Sequence, residues 1–499
     1  MKNINLIEVS NYLDRIKKYA YKDIAHIKNN VLNKNPYTSN LIHNYFFDTQ
    51  QKKITKLFLC KKISIFYFKN IAIFFLFLIN LIIFKLFSKK SNIDFEKEIF
   101  LIDIFFLVDK IIEDGFFRDK YFPGLYKTLE NHKKEYIFLP RLYGLGKSPF
   151  KFYKLLRILN KDKRNKFLFE YELLSLSDIL SIVVFILTYP IKQFDLIQQE
   201  NSRLDKLFNY ELFDVLPNTH FEAYTRYLSG KNISKILSSN SKVISWQEFQ
   251  NLEKTFYRAI RESNNKIIIY GCELLIKYES YLSMHITDTD VDLLITPHKT
   301  LLNGKYNYSN SDKHNFINGV SFRYKDIFRF INDYNSEKTI LVLLGYDVIE
   351  SQNLLKTIEN VSSLEIKLHP TTNEKVFDAY KKVNWNYVYG DLYELFKKTN
   401  IVFVSPMSGT ALEAVVCGIS VIIVASSDSL TVNPLVNFGY GKIWDIVFDR
   451  TELNGKVNAL LEYKKNNPNE IHSISKWYKD NFFIEPTESN ICNAFELYD

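Results

Sequence analysis

The sequence contains few cysteines, glycines and prolines, and each shortage excludes a class of protein. Only 4 of 499 residues are cysteine, and they are far apart, at Cys60, Cys272, Cys417 and Cys492. They form no C-x-x-C pair, which favours a reducing compartment over a disulfide framework. The 15 glycines and 12 prolines exclude a collagen-like or low-complexity chain. The N-terminal residues lack an apolar run, so we expect no secretory signal.

The composition is that of a folded chain with a mild excess of positive charge. Hydrophobic residues make up 46% and charged residues 24%, with 41 Phe and 33 Tyr. A chain of 499 residues is long enough for two or three domains. The formal net charge of +9 suits an anionic partner such as a membrane surface or a nucleotide. The charge is too dilute to indicate nucleic acid, and we expect no nucleic-acid partner.

One apolar segment, residues 71–87, is a candidate for membrane contact. Its core, IAIFFLFLINLIIF at 71–84, is apolar except for Asn80, and Lys69 and Lys85 close it. An apolar run of about 10–14 residues is typical of a buried or interfacial helix, whereas a span needs about 20. We expect an interfacial helix, with a buried core helix and a true span as the alternatives. The basic stretch KFYKLLRILNKDKRNK at 151–166 fits either an anionic lipid surface or a solvated helix face.

Alternating apolar strands and amphipathic helices predict an α/β protein with two Rossmann-like domains. Residues 1–95 form a predicted helical extension, residues 96–335 the first domain and residues 336–499 the second, with a hinge near 330–338. In the first domain we predict strands at 98–108, 136–142, 166–174, 266–271 and 291–297, and helices at 125–134, 178–190 (buried) and 245–263. In the second domain we predict strands at 339–345, 364–370, 386–390, 401–405 and 420–426, with helices at 351–360, 374–383, 391–399 and 408–418. This alternation is typical of doubly wound parallel sheets.

Open parallel sheets bind ligands at the carboxyl ends of their strands, so residues just after strands are the candidate site. In the second domain these are Gly345, Lys367, His369, Ser408, Gly409, Thr410 and Glu413. The hydroxyl residues open a predicted helix, whose free N–H groups and dipole favour a phosphate. Glu413 can accept hydrogen bonds from ribose hydroxyls, and His369 can donate to a phosphate oxygen. The pattern predicts a pocket for a nucleotide phosphate.

The ordered motifs IKLHP and SGTALEAVVCGISVIIV resemble the donor-binding domain of GT-B glycosyltransferases. The similarity is to the bacterial sialyltransferase and Kdo-transferase type and to large surface-carbohydrate biosynthesis proteins. It makes 96–335 the acceptor domain and 336–499 the nucleotide-sugar donor domain. It implies phosphate contacts for His369, Ser408 and Thr410. The Glu113-Asp114-Gly115 sequence resembles the family's acidic motif, so Asp114 or Glu113 is the implied catalytic base.

The resemblance implies an inverting, metal-independent transfer in which His369 neutralises charge on the leaving phosphate. We expect no cofactor beyond the nucleotide-sugar co-substrate, with a CMP-sugar carrying a Kdo- or nonulosonate-type acid as one candidate. The expected acceptor is a glycan or a lipid-linked molecule of surface polysaccharide or glycolipid biosynthesis. The expected location is the cytoplasm, peripheral on the inner face of the cytoplasmic membrane.

Other interpretations of the same residues remain open. A nucleotide-sugar epimerase or a polyol-phosphate transferase of teichoic-acid type would share the fold, and so would a non-catalytic membrane scaffold. Cys272 and Glu273 lie at a strand end where the family has other polar residues. Asp288, Asp290 and Asp292 form D-x-D-x-D, a pattern that can hold a divalent metal. Because they precede an apolar run, we interpret them as loop and strand-start residues and predict no metal site.

Overall fold

The structure is a computed structural model. It describes residues 5–36, 38–48, 52–89, 92–309, 311–330, 332, 339–369, 372–380, 382 and 385–498. Pro370 and most of the predicted hinge at 330–338 lie outside the described residues.

The chain begins with three helices, of which the third is by far the longest. They are α1 (Leu6–Ala20), α2 (Leu41–Phe46) and α3 (Lys56–Phe87). The 32-residue α3 is capped by Thr55, whose hydroxyl accepts a hydrogen bond from Phe58 N at 3.1 Å. Such a side-chain cap satisfies a backbone donor that the helix cannot. The apolar segment predicted from sequence is therefore the second half of a much longer helix.

The first sheet is built from six parallel strands in the order β2-β1-β3-β4-β5-β6. The strands are β1 (Ile99–Leu107), β2 (Glu135–Tyr143), β3 (Lys242–Trp246), β4 (Ile268–Cys272), β5 (Lys299–Leu302) and β6 (Asn315–Asn318). The helices between them are α4 (Val108–Asp114), α5 (Leu125–Asn131), α6 (Pro149–Leu159), α7 (Glu170–Leu173), α8 (Leu176–Lys192), α9 (Arg203–Asp214), α10 (Glu222–Ile236), α11 (Asn251–Ser263) and α12 (Asp288–Asp292).

The second sheet also has six parallel strands, in the order β9-β8-β7-β10-β11-β12. They are β7 (Thr339–Leu343), β8 (Leu364–Lys367), β9 (Trp385–Tyr387), β10 (Thr399–Val404), β11 (Ser420–Val424) and β12 (Trp444–Val447). The helices are α13 (Val348–Thr357), α14 (Leu392–Phe396), α15 (Thr410–Val416), α16 (Arg450–Asn466), α17 (Pro468–Phe482) and α18 (Glu488–Phe495). Short 3₁₀ helices occur at Ile24–Lys28, Gln193–Leu196, Leu216–Asn218, Leu282–Met284, Phe322–Arg329 and Glu374–Tyr380.

This architecture confirms the predicted fold class of two Rossmann-like domains preceded by a helical extension. Two segments pack outside the domain that the sequence predicts for them. The helical extension shares its hydrophobic core with α8, α9 and α10, through residues such as Leu13, Phe66, Phe185 and Phe208. The last helix, α18, packs into the core of the first sheet, where Phe495 is fully buried.

Several predicted elements are wrong in detail. Residues 166–174 make only one bridge, between Phe167 and Phe138, and then continue into α7, so they are not a third strand. Residues 291–297 are not a strand either, because the strand begins at Lys299. The helix predicted at 245–263 starts at Asn251, and its first residues belong to β3. Residues 374–380 form a 3₁₀ helix rather than an α-helix.

The helix predicted as buried at 178–190 is α8, and one side of it is exposed. Its stripe of exposed apolar side chains consists of Leu176, Leu180, Val184, Leu187 and Ile191. A similar stripe on the neighbouring α3 consists of Phe68, Ile71, Phe75, Ile79, Ile82 and Leu86. Lys56–Phe87 and Leu176–Leu196 are the two helices in the described part of the chain that are long and apolar enough to cross a membrane. Within α3, however, Phe66, Asn70 and Phe84 are buried against the rest of the protein.

Candidate functional site

The second sheet has the Rossmann strand order. The chain adds strands outward from β7 on one side and then from β10 on the other, so the switch point lies between β7 and β10. Ligands of such sheets bind at this switch point, beyond the carboxyl ends of the strands. Gly345 follows β7, and Ser405 follows β10. A Cβ on Gly345 would lie 2.7 Å from Ser405 Oγ, so only glycine lets the two loops approach this closely. Ser405 is buried, and its Oγ has no hydrogen-bond partner among the described residues.

Lys367 and His369 lie at the end of the neighbouring strand β8. Lys367 Nζ donates to Gly390 O at 2.7 Å and so supports the adjacent loop. The His369 ring lies 5.7 Å from the exposed Tyr346 ring, edge to face. Burial, and then the positive charge of Arg323, lower the pKa of His369. At neutral pH this imidazole is therefore uncharged and can donate one hydrogen bond.

Ser408, Gly409, Thr410 and Glu413 open α15, directly after β10. Ser408 Oγ and Thr410 Oγ1 are 2.5 Å apart. Glu413 Oε2 accepts a hydrogen bond from Tyr393 Oη at 2.6 Å. Burial raises the pKa of Glu413, although the Tyr393 bond and Arg323 act in the other direction. The structure thus gathers all seven predicted donor-site residues at the carboxyl edge of β7, β8 and β10.

The first sheet has its own switch point, between β1 and β3. The Phe105 and Trp246 rings meet there at 5.2 Å, and Trp246 Nε1 donates to Glu248 Oε1 at 3.0 Å. Burial, and then the nearby Glu253 carboxylate, raise the pKa of Glu248 to about 7. A carboxyl group with this pKa can accept a proton at neutral pH and is a general-base candidate.

Arg323 connects the two switch points. In the chain it follows β6, the last strand of the first sheet, and precedes β7. Its guanidinium lies 5.8 Å from the centre of the Trp246 ring. Its charge acts on Glu248 on one side and on His369 and Glu413 on the other. A guanidinium in this position can bind a phosphate or carboxylate. Tyr278 Oη also crosses between the domains and donates to Met407 O at 3.0 Å.

The two acids predicted as the base lie elsewhere on the first domain. Glu113 and Asp114 end α4, and Lys110 Nζ contacts both carboxylates at 3.1 Å. The Glu113 side chain is 72% exposed, whereas that of Asp114 is 29% exposed. Asp114 lines a small cavity together with Tyr121, whose ring lies 4.5 Å from Trp246. Asp114 is therefore the less exposed of the two, and its cavity is also lined by Phe105 of the β1–β3 switch point.

The D-x-D-x-D acids are neither loop nor strand residues, because they form α12. Asp290 is fully buried, and its carboxylate pairs with Lys17 at 2.8 Å. Asp292 pairs with Lys313, and Asp288 accepts from Ser311 Oγ at 2.6 Å. Among the residues that the structure describes, no group of three or more His, Cys, Asp or Glu could hold a metal ion.

Cys272 and Glu273 are also structural in this fold. Cys272 belongs to the hydrophobic core of the first sheet, and Glu273 forms a buried ion pair with Lys277. Cys272 is the register partner of Trp246 across β3 and β4, but its side chain lies in the hydrophobic core.

Sequence reasoning missed Glu248, Arg323, Tyr393 and Ser405. The signal for Glu248 is its position two residues after β3, but the helix predicted at 245–263 covers the end of that strand and Glu248 itself. Ser405 ends the apolar run IVFVS and could have been chosen by the same rule as Gly345. Arg323 and Tyr393 carry no local signal, because only the folding of distant elements brings them to the site.

The two six-stranded parallel sheets are those of two Rossmann-like domains, the arrangement predicted from the sequence. No protein-family model matches the chain, and no curated protein matches it. Solved structures with a similar fold include MurG of Acinetobacter baumannii, at 11% identity and a TM-score of 0.41, covering 81% of this chain and 100% of MurG. The wall teichoic acid polymerase TagF has 10% identity and a TM-score of 0.39, covering 89% of this chain and 98% of TagF.

The glycosyltransferase VinC, solved in complex with DTDP, has 12% identity and a TM-score of 0.38, covering 80% of this chain and 99% of VinC. These likenesses concern the fold at low identity.

Proposed function

We propose that the protein is a glycosyltransferase that moves a sugar from a nucleotide donor to a glycan or lipid-linked acceptor. The observation that carries this proposal is the group of residues at the β7–β10 switch point. Ser408, Thr410 and His369 offer hydrogen-bond donors to a diphosphate or monophosphate, and Glu413 offers an acceptor to ribose hydroxyls. Gly345 leaves space for a ligand to approach the backbone.

The proposed chemistry is a single displacement at the anomeric carbon, with inversion. A carboxylate of the first domain removes the proton from the acceptor hydroxyl, and the oxygen then forms a bond to the anomeric carbon as the bond to the phosphate breaks. Asp114 and Glu113 are the bases suggested by the motif. The switch-point position and raised pKa of Glu248 favour it as a further candidate. Arg323 and His369 stabilise the charge that develops on the leaving phosphate, so the scheme does not require a metal.

The proposed biological setting is surface polysaccharide or glycolipid synthesis at the inner face of the cytoplasmic membrane. The adjoining apolar stripes of α3 and α8 support peripheral attachment. One face of α3 is buried against the protein while the other is exposed, which suits a helix lying in the membrane interface. Exposed basic residues of α6 and the following loop, including Lys154, Arg157 and Lys161, would face anionic headgroups. A CMP-linked Kdo- or nonulosonate-type sugar remains our candidate donor.

The test is nucleotide release by the full chain incubated with CMP-sugars, UDP-sugars and CDP-polyols. We expect release from one donor class and a loss of about 10²–10³-fold in His369→Ala, the usual effect of removing one transition-state donor. His43→Ala, which changes an exposed histidine of α2, is the matched control and should behave like the wild type.

Other outcomes would favour the alternatives. Epimerised sugar without an acceptor would indicate an epimerase, and release of CMP from a CDP-polyol would indicate a polyol-phosphate transferase. If no donor is consumed and His369→Ala does not change donor binding, the protein is not a transferase, and a membrane scaffold becomes the better explanation.

A further inference from the structure

A second cavity lies in the first domain, away from the candidate donor site of the second domain. Its volume is about 480 Å³, within the range of about 300–1,000 Å³ typical of small-molecule sites. It is bounded by α3, by the carboxyl ends of β1 and β2, and by the start of α10. None of the seven predicted donor-site residues lines it.

The lining of this cavity has an apolar part and a polar part. Apolar side chains of α3, among them Ile73, Leu76 and Phe77, form part of its wall. Polar and charged residues form another part, with Asn80 on α3 and with His220, Glu222 and Arg226 around the start of α10. A ligand that fills the cavity must therefore offer both apolar and polar groups.

Several buried polar atoms of this lining have no partner among the described residues. Asn80 is only 4% exposed, and its Oδ1 accepts no hydrogen bond. Arg226 is 3% exposed; its Nη atoms are held by Asp103 at 2.7 Å and Glu170 at 2.6 Å, whereas Nε donates to nothing. His220 Nδ1 is unpartnered as well. Buried polar groups are normally satisfied, so these atoms indicate a polar ligand group.

The charge state of the lining suits hydroxyl groups. Burial, and then the Glu170 carboxylate, raise the pKa of Glu222. Burial, and then Lys28, lower the pKa of His220 to about 4, so its ring is neutral at pH 7. Amide, carboxyl and neutral imidazole groups exchange hydrogen bonds with sugar hydroxyls. The rings of Phe77, Tyr171 and Phe221 add apolar surface.

We propose that this cavity binds an amphiphile with a hydroxyl-rich head and an aliphatic chain. The chain would leave along α3, whose opposite side carries the exposed apolar stripe, so it would stay in apolar surroundings. That this amphiphile is the sugar acceptor rests on the proposed glycosyltransferase function. Phe105 lines the cavity and contacts Trp246, the hydrogen-bond donor to Glu248, so one wall of the cavity is also a wall of the β1–β3 switch point.

The test is photocrosslinking of the full chain with an alkyl glucoside that carries a diazirine on its chain, without any nucleotide. We expect crosslinks at the lining residues Ile73, Leu76, Phe77 and Asn80 and at the lining residues around the start of α10, competed by octyl glucoside but not by glucose. Leu76→Trp should fill the apolar part and reduce labelling about tenfold. Ile79→Ser is the matched control, because Ile79 lies on the exposed stripe beside Asn80 and its loss should leave labelling inside the cavity unchanged.

Asn80→Leu is the second variant, of similar size but without the unpartnered oxygen. We expect it to weaken competition by octyl glucoside about tenfold, the usual effect of one lost hydrogen bond. Labelling confined to the outer stripe of α3, or unchanged by Leu76→Trp and Asn80→Leu, would overturn the proposal. Cavity labelling in a protein that releases no nucleotide would retain the site and reject only its role in sugar transfer.

Discussion

The pKa values of Glu248 and His369 differ from those of the free side chains because the fold buries both groups, and the charge of Arg323 acts on each. Burial dominates both shifts: it raises the pKa of Glu248 to about 7 and lowers that of His369. Arg323 opposes the first shift and adds to the second. At neutral pH the pair thus offers a carboxyl group able to take a proton and an uncharged imidazole able to donate a hydrogen bond. This division suits a base on the acceptor side and a donor on the phosphate side.

We predict that Glu248→Gln lowers kcat/KM about 10²–10⁴-fold, the contribution typical of a positioned general base. The base must be deprotonated, so wild-type kcat/KM should fall as pH drops below about 7. Initial rates of sugar transfer across pH measure both effects. Exposed Glu96→Gln is the control and should have a normal rate and pH profile. If Glu248→Gln keeps the wild-type profile while Asp114→Asn or Glu113→Gln loses activity, the acidic motif supplies the base.

At the scale of elements, the two faces of α3 differ in what covers them. Its buried side, through Phe66, Asn70 and Phe84, anchors it to the protein, with Asn70 Nδ2 donating to Thr219 O at 3.0 Å. Its outer side carries Phe75, 61% exposed, and Ile82, 58% exposed, beside the stripe of α8. Contiguous exposed apolar patches of this kind mark interaction surfaces.

We predict that Phe75→Ser combined with Ile82→Ser weakens binding to phosphatidylglycerol-containing vesicles at least tenfold. Each large apolar side chain removed from the interface forfeits about 1.5–3 kcal/mol. Sedimentation with vesicles measures the bound fraction. The control is Ile349→Ser combined with Val376→Ser, which removes exposed apolar side chains from the second domain. An equal loss of vesicle binding in both double variants, or no loss in Phe75→Ser combined with Ile82→Ser, would contradict attachment through α3.

At the scale of the whole molecule, the last helix ties the two domains together. It follows the second domain in sequence, yet Phe495 packs 5.6 Å from the Tyr270 ring and 6.2 Å from the Phe322 ring, in the core of the first. Glu496 Oε2 accepts from Tyr270 Oη at 2.9 Å beside it. The returning chain end therefore links the second domain to the core of the first.

We predict that Phe495→Ala destabilises the first domain by about 3–5 kcal/mol, the usual cost of removing a buried phenylalanine. Hydrogen exchange should accelerate in β3 and β4 and remain unchanged in β10 and β11. Leu460→Ala, at a fully buried position of α16, should produce the reverse pattern. Faster exchange in the second sheet of Phe495→Ala would show that α18 stabilises the second domain instead.

The sequence by itself determined the strands with long apolar runs, such as β1, β7 and β10. A strand buried on both faces is almost continuously apolar, so its own residues identify it. It also placed His369 and Ser408 at strand ends, where a parallel sheet gathers them. It did not locate β5 or β6, which are short and lack such runs, and it wrongly predicted a strand at 291–297.

Only the tertiary structure decided which residues from separate elements meet. Arg323 acts on both switch points, and Asn80 borders a cavity, because packing brings together residues far apart in the chain. The pKa values of Glu248 and His369 follow from burial, which no local pattern encodes. The exposed stripe of α8 has the same cause: its apolar residues predicted a buried helix, and only the arrangement around α3 left one side uncovered.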